Sequence, residues 1–212
     1  MNLQVTSDFL DWKNKAKNVS EEQYLNAKIF VFWDLENCLP RKKSDVALIS
    51  NNINLALERQ NYKGPVSISA YGNVKVVKEF QQQQLTDSGI KLIHIPPGRK
   101  DATDKHMMVD MALWAKDNSV PANIMLISGD GDFLLTLFDL YWKGFNLLLA
   151  EPIQTNVNLR DACSIIWKWE TLREGGAPYL VKPIVSRQIG RSYVEEHLGK
   201  GKEKMDEGDS GD

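Results

Sequence analysis

The chain has 212 residues, 42% hydrophobic and 25% charged, which is enough for one well-buried α/β domain and short for two. Its formal net charge of −2 excludes a general attraction for polyanions, so nucleic-acid binding would need a local basic patch or a bound cation. The two cysteines, Cys38 and Cys163, share no repeated spacing and point to neither a disulfide framework nor a zinc site.

Residues 1–25 are polar with scattered aromatics and hold at most a short leading helix. From Lys28 the run KIFVFWD, rich in β-branched and aromatic residues, predicts a buried parallel strand. A polar loop, ENCLPRKK, follows. Ser44 then reads as the N-cap of a helix over SDVALISNNINLALERQ. VSISAYG from Val66 predicts a second strand, VKVVKEFQQQQLTDSG a helix stopped by Gly89, and IKLIHIPPG a third strand closed by a Pro-Pro-Gly turn. DATDKHMMVDMALWAKDN predicts a helix with Thr103 as its cap. NIMLISGDGDF is a fourth strand with its exit loop, FLLTLFDLYWKG a helix ending at Gly144, and FNLLLAEP a fifth strand. DACSIIWKWETL fits either a last helix or a strand against the core. Strands alternating with helices imply right-handed crossovers and a parallel sheet, here five-stranded and doubly wound in the order 3-2-1-4-5. The tail from about Gly199 lacks apolar residues and is expected to be disordered.

In such a sheet, ligands bind beyond the carboxyl ends of the strands where the strand order reverses. Asp34 closes the first strand, Asp130 and Asp132 follow the fourth, and Asp104 opens the helix between the third and fourth. Alone, each has a bland explanation: a solvated loop acid for Asp34, a helix-dipole partner for Asp104, a plain turn for SGDGDF. Delivery of all of them to one sheet edge from three separate segments favours a functional reading. Clustered carboxylates raise one another's pKa, and a hard divalent cation resolves that conflict with carboxylates, waters and phosphate oxygens. The constellation suits phosphodiester hydrolysis, since such an ion activates water and stabilises charge on phosphate. By the same repulsion, neutralising one acid should not destabilise the metal-free chain. Asp110, six positions after Asp104 and roughly 120° around the helix, is expected to be solvated or to support the site from behind.

The motifs FWDLENC at 32–38, DATDK at 101–105 and SGDGDF at 128–133 resemble, in order and spacing, the NYN family of PIN-like nucleases, in particular its plant branch and its limkain-type domains. The resemblance covers about residues 27–170. It implies a PIN-like, Rossmann-like three-layer sandwich and a Mg²⁺- or Mn²⁺-dependent endoribonuclease acting on single-stranded RNA, in RNA turnover or regulation of gene expression. Carried over by position, Asp34 matches the first metal-binding acid, Asp104 the acid after the third strand, and Asp130 the acid of the S-x-D-x-[DN]-F motif. Asp132 holds that motif's last acidic position, where relatives have Asp or Asn. Asn37 matches the Asn after the first acid, where it could hold a phosphate or a metal-bound water; a turn-stabilising role is equally open.

The layout expected is an N-terminal extension at 1–25, the nuclease domain at 26–175, a C-terminal extension at 176–198 and the tail at 199–212. Arg41, Lys42 and Lys43 lie just past the first acid, and Arg99, Lys100 and Lys105 flank the second. Both groups could follow a nucleic-acid backbone, or could be ordinary solvated loop charges. Trp167 and Trp169 alternate, which would leave one exposed. His94, His106 and His197 have no spacing that suggests zinc or a catalytic triad. A haloacid-dehalogenase-like phosphatase would want an Asp where Glu36 stands, and a dinucleotide-binding enzyme a Gly-rich turn where DLENC stands. A catalytically weak RNA-binding module of the same fold is the alternative, and a homodimer is compatible with either. No basic-then-apolar start reads as a secretory signal and no run reaches about 18 apolar residues, so no membrane span is expected. The expected setting is intracellular, cytoplasmic or nuclear, with organelle association open; the ending GDSGD is not a peroxisomal Ser-Lys-Leu address.

Overall fold

The computed structural model describes residues 21–40, 46–98 and 100–182. Ser44, Arg41, Lys42, Lys43, Arg99, His197 and the tail therefore lie outside the described residues. A short helix α1 (Glu21–Asn26) leads into β1 (Ile29–Asp34). The chain then passes through α2 (Ile49–Glu58), β2 (Val66–Gly72), α3 (Glu79–Asp87), β3 (Ile90–His94), α4 (Ala102–Asp117) and β4 (Asn123–Ile127). It finishes with α5 (Leu134–Trp142), β5 (Asn146–Glu151), α6 (Leu159–Ala162), β6 (Ile165–Lys168), α7 (Trp169–Leu172) and β7 (Leu180–Val181).

One sheet runs in the order β3-β2-β1-β4-β5-β6-β7. The first five strands stand in the expected order and pair in parallel. The expectation of five strands was short by two: β6 adds in parallel to β5, and β7 adds antiparallel to β6. DACSIIWKWETL is thus neither one helix nor one strand. Its centre, IIWK, completes the sheet, and a helical turn flanks it on each side.

Alternation along the central strands splits the core into two layers. Ile29, Val31 and Trp33 of β1, Met125 and Ile127 of β4, and Leu148 and Ala150 of β5 pack with α2, α3 and α7. Phe32 of β1, Ile124 and Leu126 of β4, and Leu147 and Leu149 of β5 pack with α4, α5 and α6. Helices cover both faces, so the central strands are buried almost throughout, as their continuous apolar runs require. Trp167 and Trp169 are both buried, against the expectation that one is exposed. Residues two apart in a strand share a face, and although the strand ends between them both reach the same core layer, where Trp169 tilts against Trp33 at 4.9 Å between ring centroids. Trp114 is half-buried on α4 against Phe30 and Phe145.

Polar side chains close the other end of the sheet. Asn123 donates to the Tyr24 carbonyl at 2.8 Å, tying α1 to β4. Asn146 donates to Asn123 Oδ1 at 2.7 Å and to the Tyr62 hydroxyl at 2.8 Å, and Ser164 donates to Asn146 Oδ1. These bonds satisfy buried groups at the amino ends of the strands and leave the carboxyl ends for chemistry.

Candidate metal centre

β1 and β4 are neighbours in register, Trp33 opposite Ile127, so the residues after each emerge side by side. The connection from β1 leads to β2 on one side, while β4 leads to β5 on the other. This is the reversal point of the sheet, and the acids converge on it.

Asp34 is the last residue of β1 and fully buried. Its carboxylate accepts the Glu36 N–H at 2.8 Å and the Asn37 N–H at 3.2 Å, so the acid shapes the turn that follows it. The Asn37 amide donates to its other oxygen at 2.7 Å, and the Ser128 hydroxyl does so at 2.8 Å from across the β1–β4 boundary. Burial pushes the pKa of Asp34 up, against the opposing pull of these four donors. Asn37 thus has a geometric role, fixing the first acid. The turn is closed by the Trp33 indole N–H donating to the Cys38 carbonyl at 2.8 Å.

Ser128 also accepts the Asp130 N–H, and Asp130 Oδ1 accepts the Asp132 N–H at 2.9 Å. The SGDGDF segment is therefore a self-capped turn that presents Asp132 to solvent. Its first glycine is required by packing. A Cβ on Gly129 would lie 2.5 Å from the Gln154 carbonyl oxygen and 2.8 Å from Pro152 Cγ. The chain docks there, with the Asn156 N–H donating to the Gly129 carbonyl at 2.9 Å.

The third segment is the start of α4. Asp101 precedes the helix in a left-handed conformation, φ 56°, which Asp tolerates better than most residues. Asp104 is buried in the first turn. Thr103 is not the helix cap: it lies inside the first turn, and its hydroxyl donates to Glu36 Oε1 at 2.9 Å, tying α4 to the loop after β1.

Asp101, Asp104 and Asp132 each bring a carboxylate oxygen within 4.8 Å of the others. Burial, and then the charges of Asp34, Asp130, Glu36 and Asp132, push the Asp104 carboxyl up to about 6. The donor set is oxygen only, and its excess negative charge fits a hard divalent cation.

Of the expected acids, Asp104 and Asp132 stand in this tight group. Asp34 and Asp130 stand close enough to raise Asp104, with their own oxygens engaged in holding the two turns. Asp101 and Glu36 were not anticipated. Asp101 stands three positions before Asp104 in DATDK, and that spacing was the available signal. Lys100 and Lys105 are exposed at the same segment. Asp110 lies away from the cluster, partnered by the Tyr71 hydroxyl and 3.8 Å from His106. No helix among the described residues is long and apolar enough to cross a membrane.

The chain is 29% identical over 132 residues to meiosis regulator and mRNA stability factor 1 of Gallus gallus, a match covering 60% of this chain. It is 28% identical over 146 residues to the protein of the same name from Bos taurus, covering 67% of this chain. The matched stretches span 7% and 8% of those two proteins. Among solved structures, a protein of unknown function from Vibrio parahaemolyticus has the same fold, with a TM-score of 0.50 at 20% identity over 70% of this chain and 94% of that one. The family model of the NYN domain matches residues 28–170, a stretch that begins just before β1 and contains all three acid-bearing segments; this chain belongs to the NYN domain family, within the PIN-like nuclease superfamily.

Proposed function

We propose that the chain is a metal-dependent endoribonuclease that hydrolyses phosphodiester bonds in single-stranded RNA, in RNA turnover or the regulation of gene expression. The observation that carries this reading is the meeting of Asp101, Asp104 and Asp132 at the sheet's reversal point, with Asp104 raised to about 6 by burial and its acidic neighbours. A structural cluster would pair its acids with bases; among the described residues Asp101, Asp104 and Asp132 form no salt bridge, which leaves their charges for a cation to balance. In this reading the three carboxylates hold Mg²⁺ or Mn²⁺, which when bound supplies an activated water and compensates charge on the phosphate.

The chain's own residues divide the remaining work. Asp34, fixed by Asn37 and Ser128, keeps negative charge behind Asp104 and so strengthens its hold on a cation. Asp130 holds the turn that aims Asp132. Lys100 and Lys105, with Arg41, Lys42, Lys43 and Arg99, are assigned to the RNA backbone, each phosphate contact adding salt dependence. The names of the Gallus gallus and Bos taurus relatives, which refer to mRNA stability, support RNA as the substrate class. Residues 26–175 are proposed as the nuclease unit, with 1–25 and 176–198 as extensions and 199–212 as the tail. An intracellular setting, where mRNA is turned over, is part of the same proposal.

The deciding experiment incubates single-stranded RNA with the chain in Mg²⁺, in Mn²⁺ and in EDTA, beside the Asp104→Asn variant. Internal cuts that need a divalent ion and vanish in the variant are expected. RNA bound but left whole under every ion would make the chain a binding module of the same fold.

A further inference from the structure

Beside the acid cluster, the carboxyl ends of β1, β2 and β3 enclose a groove of about 310 Å³ lined by Leu35, Glu36, Leu39, Asn73, Val76 and Pro97. Its volume sits at the small end of the range for ligand sites, roughly 300–1,000 Å³, and suits a single flat ring system better than a peptide or a helix. Its walls are apolar and open: Leu39 is 46% exposed and Val76 59% exposed. Glu36 belongs to both sites, since the residue lines this groove and its carboxylate accepts the Thr103 hydroxyl next to Asp104.

The geometry points to this groove as a subsite for one unpaired nucleobase, with guanine preferred, flanking the phosphate that the acid cluster would process. The inference rests on the endoribonuclease reading for its strand. The groove's polar groups specify the base edge. Glu36 as a carboxylate only accepts hydrogen bonds. The Asn73 carbonyl oxygen accepts the Lys75 N–H at 3.2 Å, and its amide N–H₂ is the donor it offers a ligand. A base held between them must donate on one side and accept on the other. All four bases offer one donor and one acceptor; guanine alone adds a second adjacent donor, its N1–H and N2–H₂ matching the two oxygens of a carboxylate, with O6 left for Asn73. The apolar walls from Leu39, Val76 and Pro97 cover the ring faces.

The test separates base recognition from cleavage. The four ribonucleosides, which carry no phosphate for the acids to repel, are titrated into the full chain in EDTA and followed by nuclear magnetic resonance. Guanosine is expected to shift resonances of Asn73 and Val76 and to bind about tenfold more tightly than the other three, the scale of one good bidentate contact. Val76→Trp, which fills the groove from an exposed position, should abolish that binding. Asn73→Asp keeps the acceptor for Lys75 and replaces the donor, so it should remove the guanosine preference even if the tryptophan variant does not fold. Equal affinities for all four nucleosides, or guanosine binding unchanged in Asn73→Asp, overturns the inference. On mixed-sequence RNA the parent should cut beside guanine and Asn73→Asp without that bias. A parent that cuts no RNA with any divalent ion defeats the nuclease reading instead, and the nucleoside titration still decides the subsite.

Discussion

Asp34 and Asp104 are both buried acids at one strand edge, yet the bonds around them assign opposite effects to neutralisation. Asp104 is raised from 3.8 to about 6, first by burial and then by four neighbouring acids. A group with a raised acid pKa takes up a proton on folding between those values, so its charge weakens the fold above about pH 6 and does nothing below about pH 4. Asp104→Asn should therefore raise the Tm of the EDTA-treated protein at pH 7.5 by a few degrees, with about 3 kcal/mol as the upper bound from the shift. The advantage should shrink to nothing as the pH falls through 6 to 4. Melting curves across that range check it, and a variant less stable than the parent at pH 7.5 refutes it. At Asp34, whose pKa burial also raises, neutralisation brings the same kind of relief, but there it is set against the loss of donor contacts. Asn at this position would still accept the two backbone N–H groups, but the Asn37 amide would have to turn over and the Ser128 hydroxyl would lose its acceptor. Asp34→Asn should cost roughly 1 kcal/mol at neutral pH. The expectation that neutralising one clustered acid does not destabilise the metal-free chain thus becomes two separate predictions, one for the acid ringed by acids and one for the acid ringed by donors.

At the scale of elements, two junctions hold the carboxyl edge in shape. The first is the SGDGDF turn pressed on the segment 152–156, where the Gln154 carbonyl leaves no room for a Cβ at Gly129. Gly129→Ala should destabilise the fold by about 1–3 kcal/mol and move Asp130 and Asp132, so thermal melts and divalent-ion titrations should both deteriorate. The second is the fully buried Glu151 at the end of β5. It receives Arg160 through two hydrogen bonds at 2.8 and 2.9 Å, Lys168 by a salt bridge, and the Tyr179 hydroxyl at 2.7 Å. Burial would raise its pKa, but those partners outweigh it and leave Glu151 below its usual value. Glu151→Gln should cost about 1–3 kcal/mol, less than a fully buried pair because Arg160 and Lys168 are 32% and 40% exposed. A lowered acid pKa stabilises the fold above its unfolded value of 4.5 and is lost as pH falls through the folded one, so the gap between parent and variant should close in acid. This junction also explains what the sequence left open. The first five strands announce themselves as apolar runs between turn signals, and Asp34 and SGDGDF follow two of them directly. IIWK is too short for its period to separate strand from helix, and β7 has two residues, so both depend on the partners that Glu151 and β5 supply. Asp101 and Glu36 were hidden for a related reason: their place at the site depends on a left-handed residue before α4 and on the Thr103 contact, neither of which has a periodic signature.

At the scale of the whole molecule, the sheet gathers negative charge at one edge of a chain whose net charge is only −2. That imbalance makes a cation a partner of the folded state alone, because unfolding scatters Asp101, Asp104 and Asp132 along the chain. A ligand bound only by the folded form stabilises it by RT ln(1 + [L]/Kd), about 2.7 kcal/mol at a hundredfold excess over Kd. For a chain of this size that corresponds to roughly 5–10 °C in Tm. Millimolar Mg²⁺ or Mn²⁺ should therefore raise the Tm of the EDTA-treated protein progressively. Sodium chloride at matched ionic strength should not reproduce the rise, since screening by monovalent salt acts weakly on a buried acid such as Asp104. The increment should also shrink as pH falls through about 6, where protons begin to compete for Asp104. Asp104→Asn should flatten the response almost completely while starting from a higher metal-free Tm, and Asp132→Asn should retain part of it, because an amide oxygen still ligates and that side chain is exposed. Equal rises in the parent and in Asp104→Asn would place the cation elsewhere on the molecule. Equal rises in magnesium and in sodium would reduce the acid cluster to a screened surface charge and take the metal out of the proposed chemistry.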